Sequence, residues 1–306
     1  MAIKELWADK YRPRRLDEYV FKDSHQKNQI EQWVKEGTIP HLLLSGSAGV
    51  GKTSLAKILI ELLEIHHQDL LEINASRTNS VDDVRNKIID HIGFIPYGKF
   101  KVILLDEADY LSLHAQAALR GVIDEYTEFV RFIFTCNYPH KIMNAIHSRC
   151  QGFHIDKVDQ TEFTARIATI LLNENISFEL DNLDTYVKAT YPDLRKCINT
   201  VQMNSINNVL SEVTTNNQND SDYKIEMVKL FKNGKISDAR KLICKQIRPE
   251  EIVDIYTWLY DNIEIFGDEE KQESAILLIK DALVDHSICI DPEINLSACM
   301  IRLARL

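Results

Sequence analysis

The sequence predicts an α/β protein in which a parallel-sheet domain is followed by two helical domains. Across residues 1–158, short apolar runs typical of buried strands alternate with amphipathic stretches of helical spacing. Strands that alternate with helices favour a parallel sheet that is covered on both faces. Beyond residue 158 the strand pattern stops, and helical spacing continues to the end of the sequence.

The strands and helices of the first domain follow one another in order. The predicted strands are HLLLSG (41–46), LLEIN (70–74), KVILLDE (101–107) and VRFIFTCN (130–137), with a last β signal in FHIDKVD (153–159). Helical spacing is found between them in KTSLAKILIELLEI (52–65), VDDVRNKIIDHI (81–92) and LHAQAALRGVIDEY (113–126). Each of these helices can therefore connect two parallel strands.

The remainder of the chain is predicted to be helical. Three helical patterns occupy residues 159–209, and about five more occupy residues 223–306. The polar stretch SEVTTNNQNDSD (211–222) has few apolar side chains to bury, which is typical of a linker. We therefore predict three domains, at residues 1–158, 159–210 and 223–306.

Composition indicates a soluble globular protein without a membrane span. Of 306 residues, 45% are hydrophobic and 27% are charged. No apolar run approaches the roughly 20 residues needed to cross a bilayer, and the charged N-terminus lacks the apolar core of a signal peptide. The six cysteines lie far apart without a C-x-x-C pair. This spacing favours reduced, mostly buried thiols over a disulfide framework or a metal site.

The net charge of −10 is distributed unevenly along the chain. Residues 1–158 carry 20 Lys and Arg against 21 Asp and Glu, whereas residues 159–306 carry 16 against 25. Nearly all of the excess acidity is therefore C-terminal. A surface for an anionic partner is compatible with the first half, although composition does not demonstrate one.

A phosphate-binding loop lies between the first strand and the helix that follows it. Residues 46–53 match the pattern G-x-x-x-x-G-K-[ST], whose glycines let successive backbone N–H groups point at phosphate oxygens. We expect Lys52 to reach the β and γ phosphates of ATP and the Thr53 hydroxyl to ligate Mg²⁺. The predicted nucleotide-binding residues are Gly46, Ser47, Ala48, Gly49, Val50, Gly51, Lys52, Thr53 and Ser54.

An acidic pair follows the third strand, in KVILLDEAD. We expect Asp106 to hold Mg²⁺ through water and Glu107 to act as the base or orienter of the attacking water. Alone, such a pair is common at a solvated strand end. Its position after the phosphate loop favours the interpretation as the second half of the site.

These motifs resemble the small subunits of DNA sliding-clamp loaders, namely replication factor C and its tailed-phage counterparts. The resemblance covers residues 6–205 and rests on the ordered segments LWADKYRPRRLDEYV, GTIPHLLLSGSAGVGKTS, DEAD, HAQAALR, FTCN and SRC. It implies an AAA+ ATPase domain, a helical lid domain at 159–210 and a helical collar domain for oligomerisation at 223–306. In the phosphate loop, the family's usual Pro-Pro is Ser47-Ala48 here.

The resemblance also implies roles around the nucleotide. Tyr11, Arg12 and Pro13 would border the adenine; a basic strand packed on the domain is the alternative. Asn137 would be the first sensor of the γ-phosphate, unless it is only a strand-ending residue. Arg195 would be the second sensor, or else an exposed helix arginine, because the family's usual Gly-Asp pair is Pro-Asp here.

Two arginines are implied at the boundary with a neighbouring subunit. Arg149 in HSRC would be the arginine finger that reaches the neighbour's site, since a guanidinium stays charged and offers forked donors to a phosphoryl group. Arg120 would be a second interfacial arginine, and Gln116, one turn earlier, would link it to the active site. An ordinary helix surface is the alternative for both. The family's second arginine after LR is Gly121 here.

DNA and the clamp are the remaining implied partners. The residues expected to contact the phosphate backbone of DNA, without reading sequence, are Arg77, Thr78, Asn79, Ser80, Arg85 and Lys87. Asp82 and Asp83 reduce the positive charge of this segment. Ile92, Phe94 and Tyr97 are expected either to dock on the sliding clamp or to be buried in the protein's own core.

The sequence therefore predicts an ATP-hydrolysing subunit of a clamp loader, acting with other subunits in a ring that we expect to be a pentamer. Its expected cofactors are ATP and Mg²⁺, and its expected partners are a sliding clamp and primer–template DNA, with no membrane. We expect it in the cytoplasm of a cell or phage host, or in a nucleus if the source is eukaryotic. One alternative is a structural subunit that does not hydrolyse ATP. Another is a AAA+ branch-migration helicase, whose winged-helix β-hairpin has no counterpart in residues 223–306.

Overall fold

The computed structural model describes residues 5–77, 81–211 and 222–306. Contacts divide the chain into two compact units. The first comprises Met1–Ser177 with Thr190–Asn208, and the second comprises Phe178–Ala189 with Val209–Leu306. The division into domains at 1–158, 159–210 and 223–306 stays a prediction.

The first unit is built on a five-stranded parallel sheet, which confirms the predicted α/β class. Its strands are β1 (Leu42–Gly46), β2 (Leu70–Asn74), β3 (Lys101–Asp106), β4 (Val130–Cys136) and β5 (Gln151–Ile155). The order β2-β3-β4-β1-β5 places β4 between β3 and β1. Because all five strands are parallel, the loops after β1, β3 and β4 leave the same edge of the sheet side by side.

Helices account for most of the remaining structure. In the part of the chain that the structure describes they are α1 (Trp7–Lys10), α2 (Ser24–Glu36), α3 (Lys52–Leu62), α4 (Val81–Ile92), α5 (Leu113–Glu125), α6 (Asn144–His147), α7 (Gln160–Asn173), α8 (Leu180–Thr190), α9 (Leu194–Met203), α10 (Asp222–Lys232), α11 (Ile236–Gln246), α12 (Ile252–Asp261), α13 (Glu269–His286) and α14 (Pro292–Leu303). Two short strands, β6 (Ser205–Ile206) and β7 (Val209–Leu210), follow α9 and are not predicted by the sequence.

Side-chain caps fix where several of these helices begin. Asp23, Ser112, Asp159 and Asp193 each accept a hydrogen bond from the backbone N–H three residues later, at the start of α2, α5, α7 and α9 respectively. Such caps satisfy donors that have no partner within the helix. The sequence does not predict α2, because only Ile30 and Trp33 of this polar helix are buried.

Each unit has its own apolar core. In the first, alternate side chains of β3 and β4, including Ile103 and Phe132, pack with Leu119 of α5. In the second, Phe231 and Tyr256 lie at the centre of a core formed by the C-terminal helices. Burying one such side chain contributes roughly 1.5–3 kcal/mol. The five helices α10–α14 match the number that the sequence predicts for this region.

The six cysteines are free thiols, of which Cys136, Cys197 and Cys299 are buried. None of the described helices is long and apolar enough to cross a membrane.

Candidate active site

At two glycines of the turn from β1 to α3, the backbone lies too close to a neighbouring element for a side chain to fit. Gly46 has φ +147°, and a Cβ there would lie 1.9 Å from the carbonyl oxygen of Ile155 on β5. Gly49 has φ +74°, and a Cβ there would lie 1.7 Å from Oδ1 of Asp193. Any side chain would therefore collide with the sheet or with the cap of α9. Because glycine has no side chain, the loop backbone can pack closely against both β5 and the start of α9.

Lys52, the first residue of α3, is held within this loop. Its Nζ donates hydrogen bonds to the carbonyl oxygens of Gly46 (2.9 Å) and Ser47 (2.6 Å) and to Oδ1 of Asn137 (2.8 Å). The side chain is buried, and this burial lowers the pKa of Lys52. The structure thus brings together two predicted site residues, one following β1 and the other following β4.

Asp106, at the end of β3, accepts two hydroxyl hydrogen bonds on one oxygen. Thr53 donates to its Oδ1 at 2.7 Å and Thr135 donates to the same atom at 2.6 Å. Thr135 is a site residue that the sequence does not predict. The register of the sheet could have indicated it, because Leu105 pairs with Phe134 and the next residues along both strands are therefore neighbours.

Glu107 follows directly and has a left-handed backbone, with φ +57° and ψ +43°. For a residue other than glycine this conformation costs of order 1–3 kcal/mol and is concentrated at functional sites. The Glu107 N–H donates to Oγ1 of Thr135 at 3.0 Å, which helps to hold it. Both Glu107 and Asp106 line the same cavity as Lys52.

Asp109, a buried acidic residue close to the site, is not predicted by the sequence. Its Oδ1 accepts a hydrogen bond from the N–H of Asn137 at 3.4 Å. Its other carboxylate oxygen is buried and has no hydrogen-bond partner among the described residues. Asp109 therefore supports Asn137 from the interior of the domain.

The chemistry of this cavity fits a magnesium ion. The Thr53 hydroxyl and the Asp106 carboxylate lie 2.7 Å apart on its wall. Magnesium prefers oxygen ligands and is usually bound through one or two protein groups, substrate phosphates and water. Thr53 and Asp106, the two residues that the sequence predicts as metal ligands, can supply these protein oxygens.

A second cavity adjoins the first and is less polar in its lining. Its lining side chains include Tyr11, Arg12, Pro13, Val20, Val50, Val158, Leu194 and Ile198. Five residues line both cavities: Arg12, Gly49, Gly51, Ser54 and Arg195. Arg12 also donates from Nε to Oγ of Ser54 at 3.2 Å. All of these residues belong to the first unit.

The predicted interfacial residues lie elsewhere. Both Nε and Nη2 of Arg149 pair with the carboxylate of Asp124, at 2.6 and 2.7 Å. Gln116 is buried; its amide donates to the carbonyl oxygens of Leu111 and Lys141, whereas Arg120, one turn later, is exposed. Among the described residues that line either cavity, Arg149, Arg120 and Gln116 are absent.

The residues predicted to contact DNA or the clamp do not share one environment in the structure. Arg77 lines the cavity that contains Lys52, while Arg85 and Lys87 are exposed on α4. The predicted residues Thr78, Asn79 and Ser80 lie outside the described residues. Of the three apolar candidates, Ile92 is only 3% exposed and belongs to the core, whereas Phe94 and Tyr97 are 74% and 72% exposed.

Sequence comparison relates this chain to known proteins. The profile described as "ATPase family associated with various cellular activities (AAA)" matches residues 42–156. The replication factor C small subunit of Methanocella arvoryzae is 36% identical over 278 residues, which are 85% of this chain and 85% of that protein. The replication factor C small subunit of Picrophilus torridus is 37% identical over 79% of this chain and 78% of its own length.

A solved structure shows the same fold. The Holliday junction branch migration motor RuvB of Thermotoga maritima superposes with a TM-score of 0.57, covering 81% of this chain and 80% of that chain. Its sequence identity is 18%, so the likeness concerns the fold alone.

Proposed function

The chain belongs to the family of replication factor C small subunits, and on this premise we propose that it opens a sliding clamp and places it on primer–template DNA. It is an AAA-type ATPase subunit of a clamp loader. The observation that carries the proposal is the convergence of Lys52, Asp106 and Asn137, from three different strand ends, on one cavity beside a less polar one. That combination suits a nucleoside triphosphate, with its phosphates in the polar cavity and its base in the other.

ATP hydrolysis in this site consists of water attacking the γ-phosphorus while the bond to the β–γ bridging oxygen breaks. Lys52 would neutralise charge on the β and γ phosphates, and Asn137 would bind the γ-phosphate or its water. Glu107 would orient the water and accept its proton. Thr53 and Asp106 would hold Mg²⁺, which supplies further charge neutralisation when bound. Arg195 borders both cavities and would contact the γ-phosphate.

Arg149 is proposed to complete the site of a neighbouring subunit. Its guanidinium lies with Asp124, and among the described residues it lines neither of the two cavities of the candidate site. A ring assembly, which we expect to be a pentamer, would bring it to the next subunit's phosphates. Apolar side chains on the second unit support such an assembly, since Leu277, Ile288 and Ile294 are 64%, 78% and 65% exposed.

The proposed DNA-binding surface lies on α4, and the proposed clamp-binding surface lies in the segment that follows α4. Arg85 and Lys87 are exposed there and suit a DNA phosphate backbone. Phe94 and Tyr97, exposed in the segment that follows α4, suit an apolar pocket on the clamp. Both surfaces belong to the first unit, which also contains the ATP site.

The alternatives receive less support. A subunit that cannot hydrolyse ATP has no need of Glu107, which keeps a costly backbone conformation at the site. The branch-migration motor shares the fold at 18% identity, whereas the replication factor C small subunits are 36% and 37% identical.

The proposal is tested by measuring ATPase activity of the assembled complex with primed DNA, with clamp, and with both. Activity should rise most with both, and Arg85→Glu should lower this stimulation while Lys27→Glu, the same charge change on exposed α2, should not. The salt slope of DNA affinity should become shallower by about 1 in Arg85→Glu, since one phosphate contact is lost. A complex that neither DNA nor clamp stimulates would contradict the proposed function.

A further inference from the structure

Glu174, which caps the C-terminal end of α7, binds two consecutive residues of the N-terminal segment. Its Oε1 accepts a hydrogen bond from Nζ of Lys10 at 2.6 Å and another from the hydroxyl of Tyr11 at 2.6 Å. A single carboxylate oxygen therefore ties residues that are more than 160 positions away in the sequence.

The charge of this carboxylate is maintained by its partners. A glutamate is ordinarily ionised at neutral pH, and the hydrogen bond from Lys10, followed by that from Tyr11, lowers the pKa of Glu174 further. Hydrogen bonds to an ionised group are shorter and stronger than those between neutral groups. Glu174 therefore holds the segment more firmly than a neutral side chain of the same size.

The same segment is attached to α7 and α9 at further points. Arg166 of α7 donates from Nη2 to the carbonyl oxygen of Tyr11 at 3.1 Å. At the other end, Gln202 of α9 accepts from the N–H of Trp7 at 3.0 Å and donates to the carbonyl oxygen of Glu5 at 2.9 Å. Glu174 is the contact that reaches the side chain of Tyr11.

Tyr11, Arg12 and Pro13 form part of the wall of the less polar cavity. The phosphate loop is fixed by separate contacts, namely the Lys52 hydrogen bonds and the close approach of Asp193 to Gly49. Arg12 lines both cavities, but its own hydrogen bond to Ser54 at 3.2 Å does not involve Glu174. Loss of Glu174 would therefore loosen the less polar cavity at Tyr11 and Pro13 and leave the contacts of the phosphate loop in place.

We propose that Glu174 is a positioning residue for the base of the bound nucleotide: it fixes the cavity wall formed by residues 11–13 and so raises affinity for the nucleoside without touching it. This rests on the proposed function, in which the less polar cavity holds the base. The expected signature is selective, because only ligands that carry a base should sense the change.

The test compares ATP with inorganic tripolyphosphate, which lacks the nucleoside, as ligands of the full chain with Mg²⁺. In Glu174→Ala we expect the Kd for ATP to rise about tenfold, since two charge-assisted hydrogen bonds are lost, and the Kd for tripolyphosphate to stay unchanged. Glu174→Gln should give a smaller rise in the Kd for ATP. Glu162→Ala, an exposed residue on α7, should change neither.

Tyr11→Phe removes the hydrogen bond between the Tyr11 hydroxyl and Glu174 by changing the donor. It should reproduce the selective loss of ATP affinity without altering α7. If Glu174→Ala weakens both ligands equally, or weakens neither, the positioning role is overturned. The failure of the base cavity itself would look different: wild-type protein would then bind ATP no more tightly than tripolyphosphate, while Lys52→Ala still abolished binding of both.

Discussion

Arg149 and Asp124 form a two-pronged ion pair, with Nε 2.6 Å from Oδ1 and Nη2 2.7 Å from Oδ2. The remaining nitrogen, Nη1, donates to the carbonyl oxygen of Ala145 at 2.8 Å. The guanidinium therefore uses its donors within its own subunit. To act on the nucleotide of a neighbour, Arg149 must exchange the carboxylate of Asp124 for a phosphate.

This exchange predicts that Asp124→Asn raises the ATPase rate of the assembled complex in the absence of DNA and clamp. An amide holds a guanidinium less strongly than a carboxylate does. In Asp124→Asn a larger fraction of the Arg149 side chains is therefore free to bind the neighbour's phosphates. Because the Asp124 side chain is 52% exposed, the ion pair is partly screened by solvent and the rise should be modest, about two- to fivefold. The matched control is Glu125→Gln, at the adjacent exposed position. An unchanged or lower basal rate in Asp124→Asn would show that Arg149 does not exchange partners in this way.

Glu107→Gln should retain ATP binding and lose turnover by about 10²–10⁴-fold. Thr53 and Asp106 still hold Mg²⁺ in this variant, whereas the attacking water loses the carboxylate that accepts its proton. Single-turnover hydrolysis and equilibrium ATP binding separate the two effects. Glu72→Gln is the control, since Glu72 lines the same cavity but pairs with Lys57 at 2.9 Å. Wild-type turnover in Glu107→Gln would remove Glu107 from the mechanism.

His41 is predicted to make the first unit less stable in mild acid. Its Nδ1 accepts a hydrogen bond from the N–H of Phe132 at 3.1 Å and so carries no proton, which leaves Nε2–H to donate to Thr127. Burial first, and then the charge of Arg131, lowers the pKa of His41 from 6.5 to about 4. Between these values the unfolded chain binds a proton that the folded chain excludes, so stability falls as pH decreases through this window.

After allowance for partial exposure of His41, the loss is roughly 1–2 kcal/mol. NMR titration of the imidazole should give a midpoint near pH 4. The free energy of unfolding, measured with denaturant, should fall more steeply between pH 6.5 and 4 in wild type than in His41→Asn. Asparagine does not titrate in this range, and its amide oxygen can still accept the hydrogen bond from Phe132. A midpoint at the ordinary value of 6.5 would contradict the lowering of the His41 pKa by burial.

The sheet and the phosphate loop are predictable because their signals are local. Apolar runs predict β1–β4, and a last β signal at residues 153–159 overlaps β5 (Gln151–Ile155). The spacing from Gly46 to Thr53 by itself indicates a phosphate site. The sequence does not predict Thr135 and Asp109 as site residues, because their contacts are made between neighbouring strand ends, which no local pattern reveals. Phe94 could not be distinguished from a core residue, since apolar side chains in a connecting segment have no periodicity to place them.

The pairing of Arg149 with Asp124 joins residues 25 positions apart and is likewise invisible to local pattern. The cap residue Asp193 is recognisable from sequence as a helix start, but its approach to Gly49 depends on how α9 packs against the loop. Sequence therefore predicts which residues bind phosphate. The positions of the groups that support them depend on tertiary packing.

The central claim, that each ATP site is completed by Arg149 of a neighbour, is tested most directly by mixing two inactive variants. Lys52→Ala chains keep Arg149 but lack the phosphate contact, and Arg149→Ala chains keep the phosphate loop but lack the finger, whose removal typically costs about 10³–10⁵-fold in rate. ATPase activity should be negligible for either variant alone and should return in part on mixing, with a maximum at intermediate ratios. Mixed assemblies that demonstrably form and yet stay inactive at every ratio would contradict the claim.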